Sequence, residues 1–262
     1  MRVHHLNCAT MCPPLGIVGK MVCHCLAVET PMGIVLVDTG LGMGDVANPQ
    51  RRLGRGFVFM TRPICDPAET ALQQLAKIGA KPSDVRHIVV THLDLDHAGG
   101  LSDFPDAEVH VATDELAAAL TPATYGEKQR YRQPQWAHGP KWRPYAPDGE
   151  AWHGFEGVRA LEGLPPELLR VPLQGHTRGH HGIAVQGERG WMLHCGDAYF
   201  FHGEVEATRR CPVPLRAFQR LMAVDDEQRM ANQDRLRTLA NGGAGVKLFC
   251  AHDPRDLARC RA

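Results

Sequence analysis

A chain of 262 residues is long enough for one large domain with a substantial core. Hydrophobic residues make up 44% and charged residues 22%, values that argue against a disordered chain and against a coiled coil. Lys and Arg together number 29, as do Asp and Glu, so we expect no broad attraction to nucleic acid or to anionic membranes. No apolar run reaches transmembrane length and no signal peptide is visible, so we expect a cytoplasmic protein.

The first predicted elements form a β-hairpin. Two apolar runs, 21–30 and 33–40, flank the turn-forming residues 31–33. Residues 41–65 are rich in Gly, Arg and Pro, which indicates a loop at an active site or at the surface. A helix is then predicted over 67–78, because Asp66 and Pro67 favour a helix start. The next predicted elements are strands at 85–92 and 107–112 and a short helix at 114–120.

Residues 121–157 differ in composition from the rest of the chain. They hold three of the four Trp and three of the four Tyr, together with many Pro. Basic side chains also cluster there: Lys128, Arg130, Arg132, Lys141 and Arg143. Two interpretations stay open, an insert packed by its own aromatic side chains and a lid over a substrate pocket. The same aromatic content would also suit a homodimer contact.

The second half of the chain alternates short strands with helices. Strands are predicted at 157–162, 168–173, 182–186, 191–196 and 246–252, and helices at 214–223 and 225–241. This mixture predicts an α/β or α+β class, with residues 1–262 forming one domain.

Nine cysteines, an odd number, predict reduced and mostly buried thiols. Cys8 with Cys12, and Cys23 with Cys25, are spaced like parts of a metal site. Neither pair is followed by a second pair at zinc-finger spacing, so structural zinc is the less favoured interpretation.

The segment after the strand at 85–92 carries the strongest chemical signal. Four residues with ligand side chains fall within six positions: His92, Asp94, Asp96 and His97. Imidazole and carboxylate together suit Zn²⁺, Mn²⁺ or Fe. His176 in Gly-His-Thr-Arg-Gly-His, Asp197 and His252 each follow a predicted strand, where the backbone can hold a ligand rigidly.

These motifs resemble those of the metallo-β-lactamase-fold hydrolases. The family pattern is His-x-His-x-Asp-His, then Gly-His-Thr-x-Gly-His, then a bridging Asp and a late His. This chain matches it in order at 92–97, 175–180, Asp197 and His252, and VLVDTG at 35–40 matches an early strand and turn. The resemblance implies a four-layer αββα sandwich with metals at one edge between the sheets.

The resemblance also implies two divalent metal ions. One site would contain His92, Asp94 and His176, the other Asp96, His97 and His252, with Asp197 bridging both. Zn²⁺ is the expected ion, but Asp94 stands where the family has His, and this harder ligand would favour Fe or Mn. The alternative is a weakened or empty first site. His180, His181 and Asp38 are the best candidates for orienting the ligands through hydrogen bonds.

The expected activity is hydrolysis of a small-molecule lactone or carboxylic ester by a metal-bound hydroxide. Asp96 would orient the nucleophile or accept its proton. Tyr199 would donate to the substrate oxygen, as a Tyr does in lactonases of this fold, unless it is a packed core residue. Three alternatives stay open: a small phosphodiester hydrolase whose basic cluster meets phosphate, a mononuclear iron oxygenase of thiols, and a non-catalytic metal-binding module.

Overall fold

The computed structural model describes residues 1–14 and 18–262, which form two six-stranded β-sheets with helices on their outer faces. The first sheet contains β1 (Arg2–Met11), β2 (Met21–Thr30), β3 (Gly33–Val37), β4 (Val85–Val89), β5 (Glu108–Ala112) and β6 (Lys141–Tyr145). The second contains β7 (Glu150–Trp152), β8 (Phe155–Ala160), β9 (Leu168–Pro172), β10 (His181–Gly187), β11 (Gly190–His194) and β12 (Lys247–Phe249).

The helices of the described residues follow the same chain order. They are α1 (Met43–Ala47), α2 (Pro49–Arg52), α3 (Arg55–Thr61), α4 (Ala71–Lys77), α5 (Leu95–Ala98), α6 (Thr113–Leu120), α7 (Tyr125–Arg130), α8 (Val213–Met222), α9 (Asp226–Asn241) and α10 (Pro254–Arg261). None of them is both long enough and apolar enough to cross a membrane.

Apolar side chains fill three layers between these elements. Val28 and Val37 of the first sheet pack against Ile183 of the second, and all three are fully buried. Helices α4 and α6 pack on the outer face of the first sheet, and α9 packs on the outer face of the second. Alternate side chains of one strand thus face two different apolar layers, which is the period-two pattern of a sheet buried on both faces. The predicted αββα sandwich is confirmed.

Strand direction determines where the chemically active loops lie. Strands β3, β4 and β5 run parallel in the first sheet, and β11 and β12 run parallel in the second. Because parallel strands end at the same edge of a sheet, the loops after β3 and β4 emerge together, as do those after β11 and β12. The motifs at 38–40, 91–97, 195–197 and 250–253 all follow these strand ends.

Several local predictions need correction. Residues 41–65 form the three short helices α1 to α3 rather than a loop. The helix predicted over 67–78 is divided into a 3₁₀ turn at 67–69 and α4, because the Thr70 side chain accepts a hydrogen bond from the backbone of Gln73 and begins a new helix. Strand β1 and helix α10 were not predicted; α10 begins where Asp253 caps the backbone of Arg255.

The aromatic segment 121–157 does not stay together as one unit. Its first part contains α7 and a 3₁₀ turn at 133–135, and its second part forms β6 and β7. Strand β6 extends the first sheet by pairing in parallel with β5, whereas β7 is the edge strand of the second sheet. The segment therefore connects the two sheets.

Candidate metal centre

The fold brings all seven predicted ligands to one edge of the sandwich. They are His92 and Asp94 after β4, Asp96 and His97 in α5, His176 after β9, Asp197 after β11, and His252 after β12. Each of the seven residues is less than 9% exposed. Residues separated by up to 160 positions in the sequence thus form one buried cluster of imidazoles and carboxylates.

The first group within this cluster consists of His92, Asp94, His176 and Asp197. Each offers one ligand atom, and these four atoms lie within 4.8 Å of one another. The His176 Nε2 atom is 3.0 Å from Asp94 Oδ2 and 3.3 Å from Asp197 Oδ2. The His92 Nε2 atom is 3.5 Å from the same Asp94 oxygen. These are separations expected between ligands of one metal ion.

The second group combines His97, His252 and Asp197, with Asp96 beside them. The Asp197 Oδ1 atom is 3.2 Å from His97 Nε2 and 3.1 Å from His252 Nε2. Asp96 Oδ2 lies 3.6 Å from His252 Nε2. Asp197 thus belongs to both groups, with Oδ2 near His176 and Oδ1 near His97, while His252 lies near both oxygens, as expected of a carboxylate shared between two sites.

Unsatisfied polar atoms show that this cluster fits a metal. Among the described residues, the Nε2 atoms of His92 and His97 and the Oδ1 atom of Asp197 are buried without a hydrogen-bond partner. Leaving such atoms unpaired is costly, and so is burying the carboxylates of Asp94 and Asp96 beside Asp197. A pair of divalent cations would satisfy the free nitrogens and balance the carboxylate charge together.

Asp38 orients the ligand side chain of His97. Its Oδ2 atom accepts a hydrogen bond from His97 Nδ1 at 2.8 Å, and Thr91 donates to the carboxylate from its backbone and its hydroxyl. Burial would raise the pKa of the Asp38 carboxyl, but the adjacent His97 holds it below its ordinary value. Asp38 adopts a left-handed backbone conformation with φ of 55°, which is unusual outside glycine. The predicted orienting position of Asp38 agrees with these contacts.

The imidazoles of His252 and His92 are also oriented by a hydrogen bond at the Nδ1 atom. His252 Nδ1 donates to the carbonyl oxygen of Val22 at 2.8 Å, and His92 Nδ1 bonds to the hydroxyl of Thr91 at 2.9 Å. In each case the Nδ1 bond leaves Nε2 directed into the cluster. Hydrogen bonds to the far nitrogen determine tautomer and ring orientation in metal sites.

His180 and His181, both predicted to orient ligands, have different positions. His180 Nδ1 bonds to the carbonyl of Leu173, and its Nε2 accepts the backbone N–H of Asp197 at 2.9 Å. The preceding Gly196 has φ of 53°, and a Cβ there would lie 2.5 Å from His180 Nε2. His180 therefore holds the turn that carries Asp197. His181 bonds to the carbonyl of Gly179 instead and contacts the backbone beside the ligand loop.

Glu115, which joins two ligand loops, has no signal in the sequence that marks it as part of the site. Its carboxylate accepts the backbone N–H of Leu93 at 2.9 Å and that of Gly179 at 3.1 Å, and it accepts the Tyr131 hydroxyl at 3.0 Å. Glu115 is fully buried. An acid in the short helix 114–120 looks like an ordinary surface residue until the loops from 93 and 179 are placed against it.

Arg130 of α7 reaches the cluster from the aromatic segment. Its Nε atom lies 3.2 Å from Asp94 Oδ1, and its Nη1 donates to the carbonyl of His176 at 2.8 Å. Burial would raise the pKa of Asp94, but Arg130 and the neighbouring imidazoles hold it well below its ordinary value. Burial and the Arg130 charge lower the pKa of His176 to about 4, which keeps this imidazole neutral.

The remaining members of the basic cluster are used in other contacts. Arg132 donates to the backbone carbonyls of Arg51 and Arg52. Lys141 lies 3.8 Å from Asp106, and Arg143 lies 2.9 Å from Glu108. Lys128 is exposed at the end of α7. Three of these four basic side chains are therefore engaged by backbone carbonyls or carboxylates of the described residues.

Tyr199 and Cys23 also differ from their sequence interpretation. Tyr199 is fully buried in the apolar core of the second sheet, beside Cys195, and the structure does not bring it to the cluster. Its packing fits the alternative interpretation as a core residue. Cys23, in contrast, is buried with its Sγ atom 3.9 Å from Asp96 Oδ2, and it forms a ligand-like group with Asp96 and His252.

An apolar layer covers the polar cluster. The Phe200 ring centroid is 4.7 Å from that of His252 and 6.2 Å from that of Phe218 in α8. Leu53, between α2 and α3, and Leu215 of α8 belong to the same buried apolar group. We refer to this layer, built from 41–61, Phe200 and α8, as the apolar roof.

These features define a metal-binding enzyme site of the αββα sandwich, and comparison with known proteins identifies its class. The model of the metallo-beta-lactamase superfamily matches residues 18–252, and the chain belongs to this superfamily. The protein is therefore a metallo-hydrolase of this fold.

Individual relatives are consistent with that class. A probable metallo-hydrolase of Mycobacterium tuberculosis is 44% identical over 255 residues, which cover 97% of this chain and 81% of that protein. The N-acyl homoserine lactonase AiiA of Bacillus thuringiensis subsp. kurstaki is 25% identical over 238 residues, 90% of this chain and 83% of that one. A solved N-acyl homoserine lactone hydrolase, with N-hexanoyl-L-homoserine at its catalytic metal centre, matches the fold with a TM-score of 0.75. It is 21% identical, and the match covers 99% of this chain and 96% of that chain.

Proposed function

We propose that this metallo-hydrolase cleaves a lactone or carboxylic ester that carries an apolar chain. The observation that carries the proposal is the buried His/Asp cluster lying directly under the apolar roof, with Phe200 in contact with His252. A polar reacting group would be held at the cluster, and a hydrocarbon chain would be stabilised by the roof. The lactonase names of several relatives support the same substrate class.

Seven residues would hold two divalent ions, with zinc as the expected metal. One ion would be held by His92, Asp94 and His176, the other by Asp96, His97 and His252, with Asp197 shared. Two such ions supply a hydroxide at neutral pH and polarise the carbonyl oxygen of an ester.

The side chains themselves provide orientation, proton transfer and exclusion of water. Asp96 would orient the nucleophile or take up its proton, because one of its carboxylate oxygens lies at the cluster. Asp38, through His97, and His180, through the backbone of Asp197, keep the ligand atoms in place. The apolar roof excludes bulk water, which strengthens the electrostatic interactions beneath it.

The proposal is tested with protein loaded in turn with Zn²⁺, Mn²⁺ and Fe²⁺. We expect turnover of acyl lactones, with kcat/KM rising as the acyl chain lengthens. Phe218→Ala in the roof should weaken the preference for long chains and leave metal content unchanged. As a control, Trp152→Ala in the second sheet, away from the roof, should leave the chain-length preference intact.

The same panel separates the alternative activities. It includes a phosphodiester with the metal-loaded protein and thiols with the iron-loaded protein in the presence of oxygen. Two bound metals per chain with no turnover of any lactone or ester would contradict the proposal. Oxygen uptake with a thiol and one iron per chain would favour the oxygenase instead, because Asp94 supplies a harder ligand than His.

A further inference from the structure

The first ligand group contains an unusual pair of buried charges. Asp94 places a carboxylate where a neutral imidazole stands in the family pattern, and two more carboxylates, Asp96 and Asp197, belong to the same cluster. Arg130 lies against this extra carboxylate, with only 8% of its side chain exposed. A buried carboxylate is tolerated when it is paired and hydrogen-bonded.

The two carboxylate oxygens of Asp94 have different neighbours. Arg130 Nε is 3.2 Å from Oδ1, an ion-pair contact without hydrogen-bond geometry, whereas Oδ2 faces His176 Nε2 at 3.0 Å and His92 Nε2 at 3.5 Å. Oδ2 is therefore the oxygen that faces the other ligand side chains of this group and would bind the metal. Asp94 held in this way presents a single ligand atom, as an imidazole does.

The rest of the guanidinium anchors Arg130 itself. Its Nη1 donates to the carbonyl of His176, and its Nη2 donates to the carbonyl of Met222 at the end of α8. One side chain therefore touches Asp94, the backbone of a second ligand, and the apolar roof. A planar guanidinium can make these three contacts simultaneously, and an ammonium group on a flexible stem cannot.

We propose that Arg130 is a positioning residue for the metal centre, which holds Oδ1 of Asp94 and thereby fixes Asp94 as a ligand through Oδ2 alone. This inference rests on the proposed metal site. It assigns a function to the aromatic segment 121–157 that neither sequence interpretation contained: α7 completes the support of a ligand.

Removal of the Arg130 guanidinium could change the metal affinity in two opposite directions. If position dominates, loss of the guanidinium frees the Asp94 carboxylate to rotate, and metal affinity falls. If charge dominates, loss of a cation beside the site strengthens the attraction for a metal ion, and affinity rises. Changes to residues that hydrogen-bond metal ligands typically reduce affinity about 10–100-fold, so we expect position to dominate.

The test measures Zn²⁺ affinity at both sites by competition with a chromophoric chelator, together with the visible spectrum of the Co²⁺-loaded protein. The variants are Arg130→Met, Arg130→Lys, Asp94→His and the double variant Asp94→His/Arg130→Met. Arg132→Met is the matched control, because Arg132 lies two residues further on and bonds only to the carbonyls of Arg51 and Arg52 among the described residues.

We expect Arg130→Met and Arg130→Lys each to lower the affinity of one site about 10–100-fold and to change the Co²⁺ spectrum. In the Asp94→His background, removal of Arg130 should lower that affinity by less than about threefold, because only the hydrogen bond to the His176 carbonyl is then lost. Arg132→Met should bind both metals as the unmodified protein does. Circular dichroism confirms that each variant is folded, and the lysine and double variants remain informative if Arg130→Met does not fold.

Three results would overturn the inference. They are wild-type affinity in Arg130→Lys, an increased affinity in Arg130→Met, and an equal loss with and without Asp94→His. Because the measurement needs no substrate, its outcome is independent of the proposed function. If the Arg130 variants lose metal affinity as expected but no lactone is hydrolysed, only the proposed substrate class is rejected. If lactones are hydrolysed but the Arg130 variants bind metal as the unmodified protein does, only this inference is rejected.

Discussion

The two halves of the metal centre are supported in different ways. His97 and His252 are held by the strands of the first sheet, through Asp38 at the end of β3 and the carbonyl of Val22 in β2. In the other half, His92 bonds to the Thr91 hydroxyl beside β4, whereas Asp94 is held by Arg130, a side chain that arrives from α7. His176 shares that support through its carbonyl, and its Nδ1 is buried without a hydrogen-bond partner among the described residues.

This difference shows how one fold can combine a fixed site with an adaptable one. Strand-supported ligands depend on the sheet that forms the core, so their geometry is tied to global stability. Loop-supported ligands depend on a few side chains outside the sheets, so their geometry can change when those side chains change. We expect substitutions to separate the two halves accordingly.

The largest effect is expected from Asp197→Ala, because Asp197 belongs to both halves. Loss of the shared carboxylate should remove most bound metal and reduce kcat/KM by more than about 1000-fold, which corresponds to several kcal/mol of lost stabilisation. Elemental analysis and lactone turnover measure the two effects. Retention of two metals per chain would show that Asp197 does not bridge them.

Asp38→Asn should affect the strand-supported half most, because Asp38 contacts His97 directly and His92 only through the Thr91 hydroxyl. An amide has one acceptor oxygen and a donor NH₂ in place of the other, so it cannot accept the Thr91 backbone N–H together with the Thr91 hydroxyl and His97. We expect a loss of about 10–100-fold in the metal affinity of the site that contains His97, measured by chelator competition. Asp45→Asn is the control, because Asp45 is also buried and ion-paired, with Arg52, but contacts no predicted ligand. Equal losses in the two variants would mean that Asp38 acts only through stability.

Glu115→Gln should loosen the loops of the other half. The amide group replaces one acceptor oxygen with a donor, which leaves a buried N–H of Leu93 or Gly179 unpaired at a cost of about 1–3 kcal/mol. Urea unfolding measures this cost, and metal titration should show a loss of about tenfold confined to the site with His92 and His176. Glu127→Gln should cost similar stability with no change in metal affinity, since Glu127 bonds to Arg178 and its own helix start.

The smallest expected effect is on the pH dependence of stability, and it comes from His110, which lies outside both halves of the metal centre. His110 bonds to the Tyr145 hydroxyl, and burial lowers its pKa to about 3, compared with about 6.5 in an unfolded chain. Below about pH 6.5 the unfolded state therefore binds a proton that the folded state does not. The unfolding free energy should fall as the pH decreases toward 3, by up to about 1.4 kcal/mol per pH unit for this group.

Urea unfolding of metal-free protein between pH 7.5 and pH 5 measures this dependence. His110→Gln should reduce its slope, whereas the exposed His153→Asn should not. An unchanged slope in His110→Gln would show that His110 does not contribute. The same comparison on metal-loaded protein separates this effect from any change at the cluster.

The ligands of the site could be predicted from the sequence more easily than the residues that support them. The motifs at 92–97 and 175–180 could be recognised because their ligands are close in sequence, and Asp197 and His252 could be added through the family resemblance. Arg130 was noticed as one of five basic residues, but its partner Asp94 is 36 positions away, and nothing local connects the two. Glu115 has no sequence signal for the same reason, and the spacing of Cys23 and Cys25 indicates a separate metal site rather than the contact of Cys23 with Asp96.

The fold shows a similar limit. The hairpin of β2 and β3 follows from two apolar runs on either side of a turn, which are local signals. Strand β1 is partly polar, with two His and an Asn, and becomes a strand by pairing with β2. The helices within 41–61 place Leu53 in the apolar roof, where burial stabilises them more than their own helix propensity.

The sequence by itself therefore determined the class of chemistry, because side-chain type and short spacing define which atoms can bind a metal. It also determined most strands, because short apolar runs between turn residues are local features of the sequence. Only the tertiary structure decided which residues support each ligand, that Tyr199 lies in the core, and that α7 belongs to the metal centre. These features depend on contacts between residues far apart in the chain, and such contacts exist only after the two sheets have packed together.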